Sequence, residues 1–460
     1  MTVSQKIGEA LSHIKFDRLS DEAKLSAKMH ILDGLGVGLN GTLLKPLFDP
    51  VIDLYSNRES GGKSTVYNRS EKLPARYAAS INCLTTLSCP YQETHRASLG
   101  HPINVILTPA LAIGEERQAD GKQLIEAVVA GYESFVRVAT SVNPSMLDRG
   151  IQTTGAIAPF GASIAAARMF GLDDEQTRHA LNHAANLAGS SLVEAHGAKP
   201  YFGYQAGVNV EKGIFAAELA AAGVVGCDTI FEGGSTCDKG FLQAFSDNYN
   251  TNVLENGIPG RLGVEDVGFS FHYVASFSRT PIDALLWLVR EYDLTPAKIE
   301  KVRVNLTHVL HNFVNQKIES TEGRAAHYYI PLHMALTLVH GGVSDDTLTE
   351  ESFINPEIKA IMERVEVGED RQLDADYEKS KSVTSVIVEV VTTDGQKYSK
   401  RLDAWKGDPE NPASLSEIED KFCRITAKIL SNERQQRLID VVANLETLND
   451  IREIGKLVCK

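Results

Sequence analysis

The feature that most limits how this chain can fold is a long stretch of small residues at helical spacing. Residues 155–225 contain alanine-rich segments at 165–167 and 216–222, together with Gly155, Gly161 and Gly189. Helix propensity accounts for the alanines but not for the glycines, which are poor helix formers. Small side chains let helix axes approach closely, so the stretch predicts the interior of a tightly packed bundle. We also expect this stretch to contact a second copy of the chain.

Helical patterns extend over most of the first 265 residues. Apolar residues recur at helical spacing in four further segments, residues 4–40, 73–89, 103–117 and 121–140. Asp21 stands just ahead of an apolar run and is a candidate N-cap. Helical spacing returns at residues 414–447.

The pattern changes near residue 260. Residues 301–306 alternate polar with apolar side chains, and residues 383–392 are the most strand-like in the chain. Asp394-Gly395 then predicts a hairpin turn into residues 396–401. Helix-like runs occupy residues 280–292 and 330–340.

These patterns predict a mostly α protein of two domains, which a length of 460 residues also favours. We expect a large all-helical domain over residues 1–265, completed by a C-terminal helical tail at 401–460. A smaller α+β domain is expected as an insertion at residues 266–400.

The composition excludes several classes of protein. A net charge of −14 argues against a nucleic-acid partner, because phosphate binding needs a basic surface. Six cysteines lack Cys-x-x-Cys spacing, so we expect reduced, buried thiols. No stretch approaches 18 apolar residues and the N-terminus lacks the pattern of a signal peptide, so we expect no membrane partner and a cytoplasmic location.

Common cofactor and metal motifs are also missing. Gly36, Gly38 and Gly41 fit a dinucleotide-binding spacing but follow a helix-like run rather than a strand. The sequence has no phosphate-binding loop, no His-Glu-x-x-His motif and no Gly-x-Ser-x-Gly motif. His95 and His101 are six residues apart, which is poor spacing for a helical metal pair. We therefore expect neither a metal nor a cofactor.

A polar segment ahead of an apolar helix carries the densest set of reactive side chains. It contains Glu93, His95, Arg96 and His101. Histidine exchanges protons near neutral pH, so the segment is a candidate active-site loop on a rigid support. An ordinary polar loop remains the alternative reading.

The same segment resembles a known family. The resemblance rests on segments that occur in order along the chain: Ile31-Leu32-Asp33-Gly34, Leu99-Gly100-His101-Pro102, Gly131-Tyr132-Glu133 with Arg137, Gly161 to Arg168, and Lys406 to Pro412 before Lys421-Phe422. They are similar to the MmgE/PrpD family, which includes 2-methylcitrate dehydratases, cis-aconitate decarboxylases and iminodisuccinate epimerases. The resemblance implies the same two-part fold and a homodimer.

The resemblance also implies roles for residues of the helical domain. His101 matches the family's His-Pro histidine and is the candidate catalytic base. Glu93 stands where the family has an aspartate, and it either orients a histidine or caps a helix. Gln152 replaces a histidine of many members, and Lys199 resembles a lysine that would bind a carboxylate. His95 and Arg96 have no firm counterpart and are either substrate contacts or surface residues.

The smaller domain departs further from the family. Its usual lysine is missing from Ser270-Phe271-His272-Tyr273-Val274, where His272 is the nearest ionisable group and either acts in catalysis or belongs to an ordinary loop. The tyrosine that usually follows Pro331 is Leu332. Tyr329 or His333 substitutes for it, or the polar function is lost.

Three functions fit these residues. The first is a cofactor-independent lyase, a dehydratase or decarboxylase, that abstracts a proton next to a carboxylate in a small di- or tricarboxylate. The second is an epimerase of an iminodisuccinate-like dicarboxylate, which needs two bases on opposite faces. The third is a non-catalytic scaffold that descends from such an enzyme. The sequence favours the lyase narrowly and leaves the substrate open.

Overall fold

The structure, a computed structural model, describes residues 1–44, 48–58, 61–193, 202–314, 325–380 and 384–460. The chain divides into two compact units. The helical unit contains the described residues up to 267 together with Ser414–Lys460, and the sheet unit contains Gly268–Ala413. The expected mostly α fold with a sheet in the C-terminal region is confirmed.

The helices and strands of the described residues follow in chain order. The helices are α1 (Val3–Ser12), α2 (Asp21–Gly41), α3 (Asp49–Arg58), α4 (Ala75–Ser88), α5 (Pro102–Arg117), α6 (Gly121–Val142), α7 (Ser145–Asp148), α8 (Thr153–Phe170), α9 (Asp174–Leu187), α10 (Phe202–Ala221), α11 (Phe241–Phe245), α12 (Thr251–Asn256), α13 (Arg279–Glu291), α14 (His308–Val314), α15 (Ile330–His340), α16 (Glu350–Ile354), α17 (Pro356–Met362), α18 (Arg371–Ser380), α19 (Leu415–Thr426), α20 (Asn432–Ala443) and α21 (Arg452–Val458). The strands are β1 (Ser64–Thr65), β2 (Lys72–Leu73), β3 (Ile299–Leu306), β4 (Val365–Glu369), β5 (Val386–Thr392) and β6 (Lys397–Leu402).

Side-chain caps determine where many of these helices begin. The predicted N-cap of α2 was one residue off: Ser20 caps it by accepting from the Ala23 N–H, and Asp21 is the first helical residue. At α6, Asp120 accepts from the Gln123 N–H while the Gln123 side chain accepts from the Asp120 N–H. Such reciprocal bonds satisfy donors that the first turn of a helix leaves without partners.

Close helix packing explains the glycines that sequence analysis noted. A Cβ atom on Gly213 of α10 would lie 2.5 Å from Ala162 Cβ in α8, and one on Gly131 of α6 would lie 2.6 Å from the Ile106 side chain of α5. Both distances are shorter than a real Cβ contact, so only glycine fits there. The close packing predicted for residues 155–225 is therefore present within the chain itself.

The helical unit is not purely helical, because β1 and β2 form a short antiparallel ribbon. The sheet unit is built on a four-stranded sheet with the order β4-β3-β5-β6. β3 and β4 are parallel, whereas β3–β5 and β5–β6 are antiparallel. Strict alternation of buried and half-buried residues along β5 matches its predicted character. β4 was not predicted.

The sheet unit continues past the expected limit at residue 400, through Ala413. The reason is local packing after β6: Trp405 is fully buried, and its indole N–H donates to the Phe269 carbonyl at 2.7 Å.

No helix within the described ranges is long and apolar enough to cross a membrane. None of the six cysteines forms a disulfide bond, and only Cys83 and Cys89 are buried, so the expectation of burial was wrong for the other four.

Candidate active site

His101 lies where a loop meets the start of α5. It is the N-cap residue of that helix, and Pro102 occupies the first helical position. A proline is well suited to this position because its missing N–H would have no partner there. The backbone N–H of His101 donates to Thr154 Oγ1, in the first turn of α8, at 3.0 Å. The histidine is therefore held beside the N-termini of two long helices.

The ring of His101 has a defined tautomer. Its Nδ1 lies 2.6 Å from the backbone carbonyl of Glu93 and 3.3 Å from Thr94 Oγ1. A carbonyl can only accept a hydrogen bond, so Nδ1 carries the proton and the basic lone pair of the neutral ring is on Nε2. His101 is buried except for 8% of its surface. A neutral imidazole with its proton fixed on Nδ1 can take a proton on Nε2, as a general base does.

The carboxylate of Glu93 is oriented away from solvent, and the residue is 0% exposed. Oε1 accepts from the backbone N–H of Ile103 at 2.7 Å, which caps α5. Oε2 accepts from the Tyr132 hydroxyl at 2.6 Å and lies 2.5 Å from Nδ1 of His30. We call His30, Glu93, Ile103 and Tyr132 the Glu93 cluster. Full burial leaves the Glu93 carboxylate no surface with which to contact a substrate.

A buried ion pair between Lys421 and Asp33 lies close to this cluster. Lys421 Nζ is 2.5 Å from Asp33 Oδ1 and donates to the Tyr91 carbonyl at 2.9 Å. Burial raises the pKa of Asp33, and Lys421 acts against that increase. Burial, followed by the charge of Glu93, raises the pKa of Tyr132 far above its ordinary value, so its hydroxyl stays protonated and donates.

His95 is fully buried, and both of its ring nitrogens have partners within the protein. Nδ1 is 2.8 Å from Ser98 Oγ, and Nε2 is 3.1 Å from Asp266 Oδ2. Burial opposes ionisation of Asp266, yet its hydrogen bond with His95 and the charges of His95, Arg261 and Arg96 lower its pKa. His95 also closes the loop through its backbone N–H, which donates to the Gly100 carbonyl. To contact a substrate through its ring, His95 would have to exchange one of these bonds.

Gln152 acts as a helix cap. Its Oε1 accepts from the Gly155 N–H at 2.7 Å, which makes it the N-cap of α8, next to the threonine that holds His101. Arg96 is half-buried, and its charge helps to lower the pKa of Asp266. Lys199 lies outside the described residues.

In the sheet unit, His272 is paired with a carboxylate. Its Nε2 lies 3.1 Å from Asp283 Oδ1, and Asp283 Oδ2 accepts from the Lys406 backbone N–H at 2.6 Å. Asp283 lies in α13, and Lys406, the first residue of the family-like segment Lys406 to Pro412, follows β6. A histidine oriented by a carboxylate is a common arrangement for acid–base chemistry.

Two other residues of the sheet unit were candidates for the missing tyrosine. His333 is fully buried: its Nε2 donates to the Ala326 carbonyl at 2.8 Å, and its Nδ1 is 2.9 Å from Ser278 Oγ. Burial lowers the pKa of His333 to about 4, so the ring is neutral. Tyr329 is half-buried at the N-cap of α15, and burial raises its pKa.

No three His, Cys, Asp or Glu side chains among the described residues are grouped as a metal site would require. Four residues that the sequence did not predict contact a predicted site residue: His30, Thr154, Asp266 and Asp283. His30 and Asp33 offered a signal, because a histidine and a carboxylate three residues apart in an apolar helix have to find buried partners.

The helical unit with its His-Pro loop and the sheet unit with its mixed sheet define a class of mostly α proteins with two units. The chain belongs to the MmgE/PrpD family: the MmgE/PrpD N-terminal domain matches residues 5–253, and the MmgE/PrpD C-terminal domain matches residues 272–447. The resemblance stated from the sequence is thereby confirmed.

Relatives match the chain over nearly its full length. Cis-aconitate decarboxylase of Homo sapiens is 26% identical over 478 residues, covering 99% of this chain and 94% of that protein. The Mus musculus cis-aconitate decarboxylase is 25% identical, covering 99% and 93%. The cis-aconitate decarboxylase-like protein oryM of Aspergillus oryzae is 23% identical, covering 94% and 92%. These identities support a lyase-like member of the family without specifying a substrate.

Proposed function

We propose that this protein is a cofactor-independent lyase that acts on a small di- or tricarboxylate, with His101 as the group that transfers the proton. The observation that carries the proposal is the Nδ1–H bond to the Glu93 carbonyl, which puts the basic lone pair of His101 on Nε2. Full-length similarity to proteins named cis-aconitate decarboxylases supports the reaction class.

The same histidine serves either kind of lyase. In a dehydration, Nε2 takes the proton from the carbon next to a carboxylate, the electron pair forms a C=C bond, and the hydroxyl group leaves as water with the proton that the imidazolium returns. In a decarboxylation, the C–C bond to a carboxylate breaks and CO2 leaves. His101, protonated from solvent beforehand, then gives its Nε2 proton to the electron pair left on the carbon skeleton. A positioned histidine contributes roughly 10²–10⁴-fold to such steps.

The surroundings of His101 favour an anionic substrate. α5 and α8 both begin beside it, and a helix N-terminus carries partial positive charge that stabilises carboxylates. Lys199, on sequence grounds, and Arg96 are the proposed cations for substrate binding, with Gln152 and His95 as polar neighbours. Tyr329 is a further proposed substrate-binding residue on sequence grounds.

An epimerase is the second candidate, and the His272–Asp283 pair is the observation that favours it. Epimerisation needs two bases and no leaving group, and His272 is a second histidine with an orienting carboxylate at 3.1 Å. Gln152, which stands where many family members have a histidine, cannot take a proton at neutral pH.

Incubation of the full-length protein with a panel of polycarboxylates in D2O, followed by NMR, separates these functions. The lyase proposal predicts loss of water or CO2 from at least one substrate. Deuterium incorporation without either loss would support the epimerase instead. No exchange and no product across the panel would contradict both and would favour the scaffold hypothesis.

We further propose a homodimer in the cytoplasm that needs no metal. The glycine- and alanine-rich stretch at residues 155–225 supports the homodimer, and six cysteines without a disulfide bond support the cytoplasm. The lack of a metal-ligand motif in the sequence supports the absence of a metal requirement.

A further inference from the structure

A buried polar cluster, the Glu93 cluster, lies directly behind the candidate base. His101 Nδ1 donates to the carbonyl of residue 93, so the orientation of the imidazole depends on where the peptide of residue 93 is held. That peptide belongs to a loop, and a loop is positioned only by what anchors it. The carboxylate of the same residue provides the anchor.

Three elements hold this carboxylate. His30 approaches from α2, Tyr132 donates from α6, and the Ile103 N–H donates from the first turn of α5. Because α5 also carries His101 at its N-cap, residue 93 is tied to the base twice, once through its carbonyl and once through its carboxylate. The rings of His30 and Tyr132 are also in contact, with their centroids 5.2 Å apart.

Resting on the function proposed above, we propose that Tyr132 and His30 are positioning residues for the reaction: by holding the Glu93 carboxylate, they fix the Glu93 carbonyl that sets the tautomer and direction of the His101 ring. Glu93 is then a positioning residue as well, since its side chain has no exposed surface. A buried carboxylate is stable only when its oxygens are hydrogen-bonded, so loss of one donor disturbs the whole cluster.

Tyr132→Phe is the sharpest variant, because it removes one hydroxyl and keeps the ring. The chain offers a matched control in Tyr67→Phe. Tyr67 is a tyrosine of the same unit at 3% exposure, compared with 0% for Tyr132, and its buried hydroxyl has no hydrogen-bond partner among the described residues. Both variants lose a buried hydroxyl, but only Tyr132→Phe loses a bond to the Glu93 cluster.

The first readout is turnover on the substrate found in D2O. Tyr132→Phe is expected to lower kcat roughly tenfold to a hundredfold with KM changed less than about threefold, because misplacing a catalytic group by about 1 Å costs about that much. Tyr67→Phe should keep kcat within about twofold. Glu93→Gln should also lower kcat, and Tyr132→Phe in that background should add little further loss, because both changes break the same cluster.

The second readout needs no substrate. Imidazole ¹⁵N NMR of the full-length protein, with the His101 signal assigned by its absence in His101→Asn, reports which ring nitrogen carries the proton. The wild type and Tyr67→Phe should show His101 protonated on Nδ1, whereas Tyr132→Phe should show a mixture of tautomers. If no polycarboxylate turns over, the proposed function fails but this result still stands. An unchanged tautomer in both Tyr132→Phe and Glu93→Gln, or kcat losses equal to that of Tyr67→Phe, would overturn the positioning role.

Discussion

His333 makes the stability of the sheet unit depend on pH. The ring is fully buried, with Nε2 donating to the Ala326 carbonyl and Nδ1 beside Ser278 Oγ. Burial lowers its pKa from 6.5 to about 4, and the nearby charge of His272 contributes in the same direction. Below pH 6.5 the His333 ring therefore binds a proton in the unfolded chain, whereas in the folded unit it stays neutral until about pH 4. The contribution of the neutral His333 ring to folding stability is fully present above pH 6.5 and is lost as the pH falls towards 4.

The magnitude follows from that difference. Between 6.5 and about 4, at about 1.36 kcal/mol for each pH unit, the loss amounts to about 3 kcal/mol of unfolding free energy. His333→Gln removes the titrating group while keeping a donor for the Ala326 carbonyl and an acceptor for Ser278. The variant is expected to be less stable than the wild type at pH 7.5. Its unfolding free energy should also lack the decrease between pH 6.5 and 4 that His333 causes in the wild type.

Tryptophan fluorescence is a selective assay for this effect, because the chain has two tryptophans and both Trp287 and Trp405 lie in the sheet unit. Urea unfolding at several pH values between 4.5 and 7.5 gives the free-energy difference between wild type and variant. That difference should shrink by about 2–3 kcal/mol from the highest pH to the lowest. His340→Gln, at the exposed end of the same helix, is the matched control and should parallel the wild type. Parallel curves for wild type and His333→Gln would refute the reasoning.

Three further predictions concern binding, assembly and metal. Lys199→Ala should raise KM for a polycarboxylate by more than it lowers kcat, because a lysine that binds a carboxylate does so in the ground state as well as in the transition state. Steady-state kinetics that show a fall in kcat alone would contradict this. Sedimentation at micromolar concentration should give twice the chain mass of 50.2 kDa, and a single-chain species would exclude the homodimer. Dialysis against EDTA should leave turnover unchanged, whereas a loss that a divalent ion restores would show that a metal is required.

Sequence patterns predicted the long elements of this fold better than the short ones. The helices α2, α5 and α6 and the hairpin of β5 and β6 were expected because their apolar periods persist over many residues or end in a recognisable turn. β4 has five residues and α3 has ten, and in both the pattern was too weak to predict an element. The cap of α2 is Ser20 rather than the predicted Asp21; both residue types favour an N-cap, and only the backbone geometry separates them.

The candidate site was predicted as a loop but not as a network. His101, His95 and Glu93 are close together in the chain, so the sequence could point to them as a group. Their partners are far away: Asp266 is 171 residues from His95. Sequence spacing carries no information about such pairs. For Glu93 the sequence left open whether its carboxylate orients a histidine or caps a helix. In the structure the carboxylate caps α5 through the Ile103 N–H and lies 2.5 Å from Nδ1 of His30, whereas the bond with His101 comes from the backbone carbonyl of Glu93.

The most direct test of the central claim is the turnover of His101→Ala on the polycarboxylate that the wild type converts, measured by NMR as release of CO2 or water. If Nε2 of His101 transfers the proton, kcat should fall by roughly two to four decades while KM changes far less, and the thermal unfolding temperature should stay close to that of the wild type, because the substitution removes little buried apolar surface. A variant that keeps activity within about tenfold of the wild type, while His272→Ala is inactive, would contradict the account and would assign the base to the sheet unit.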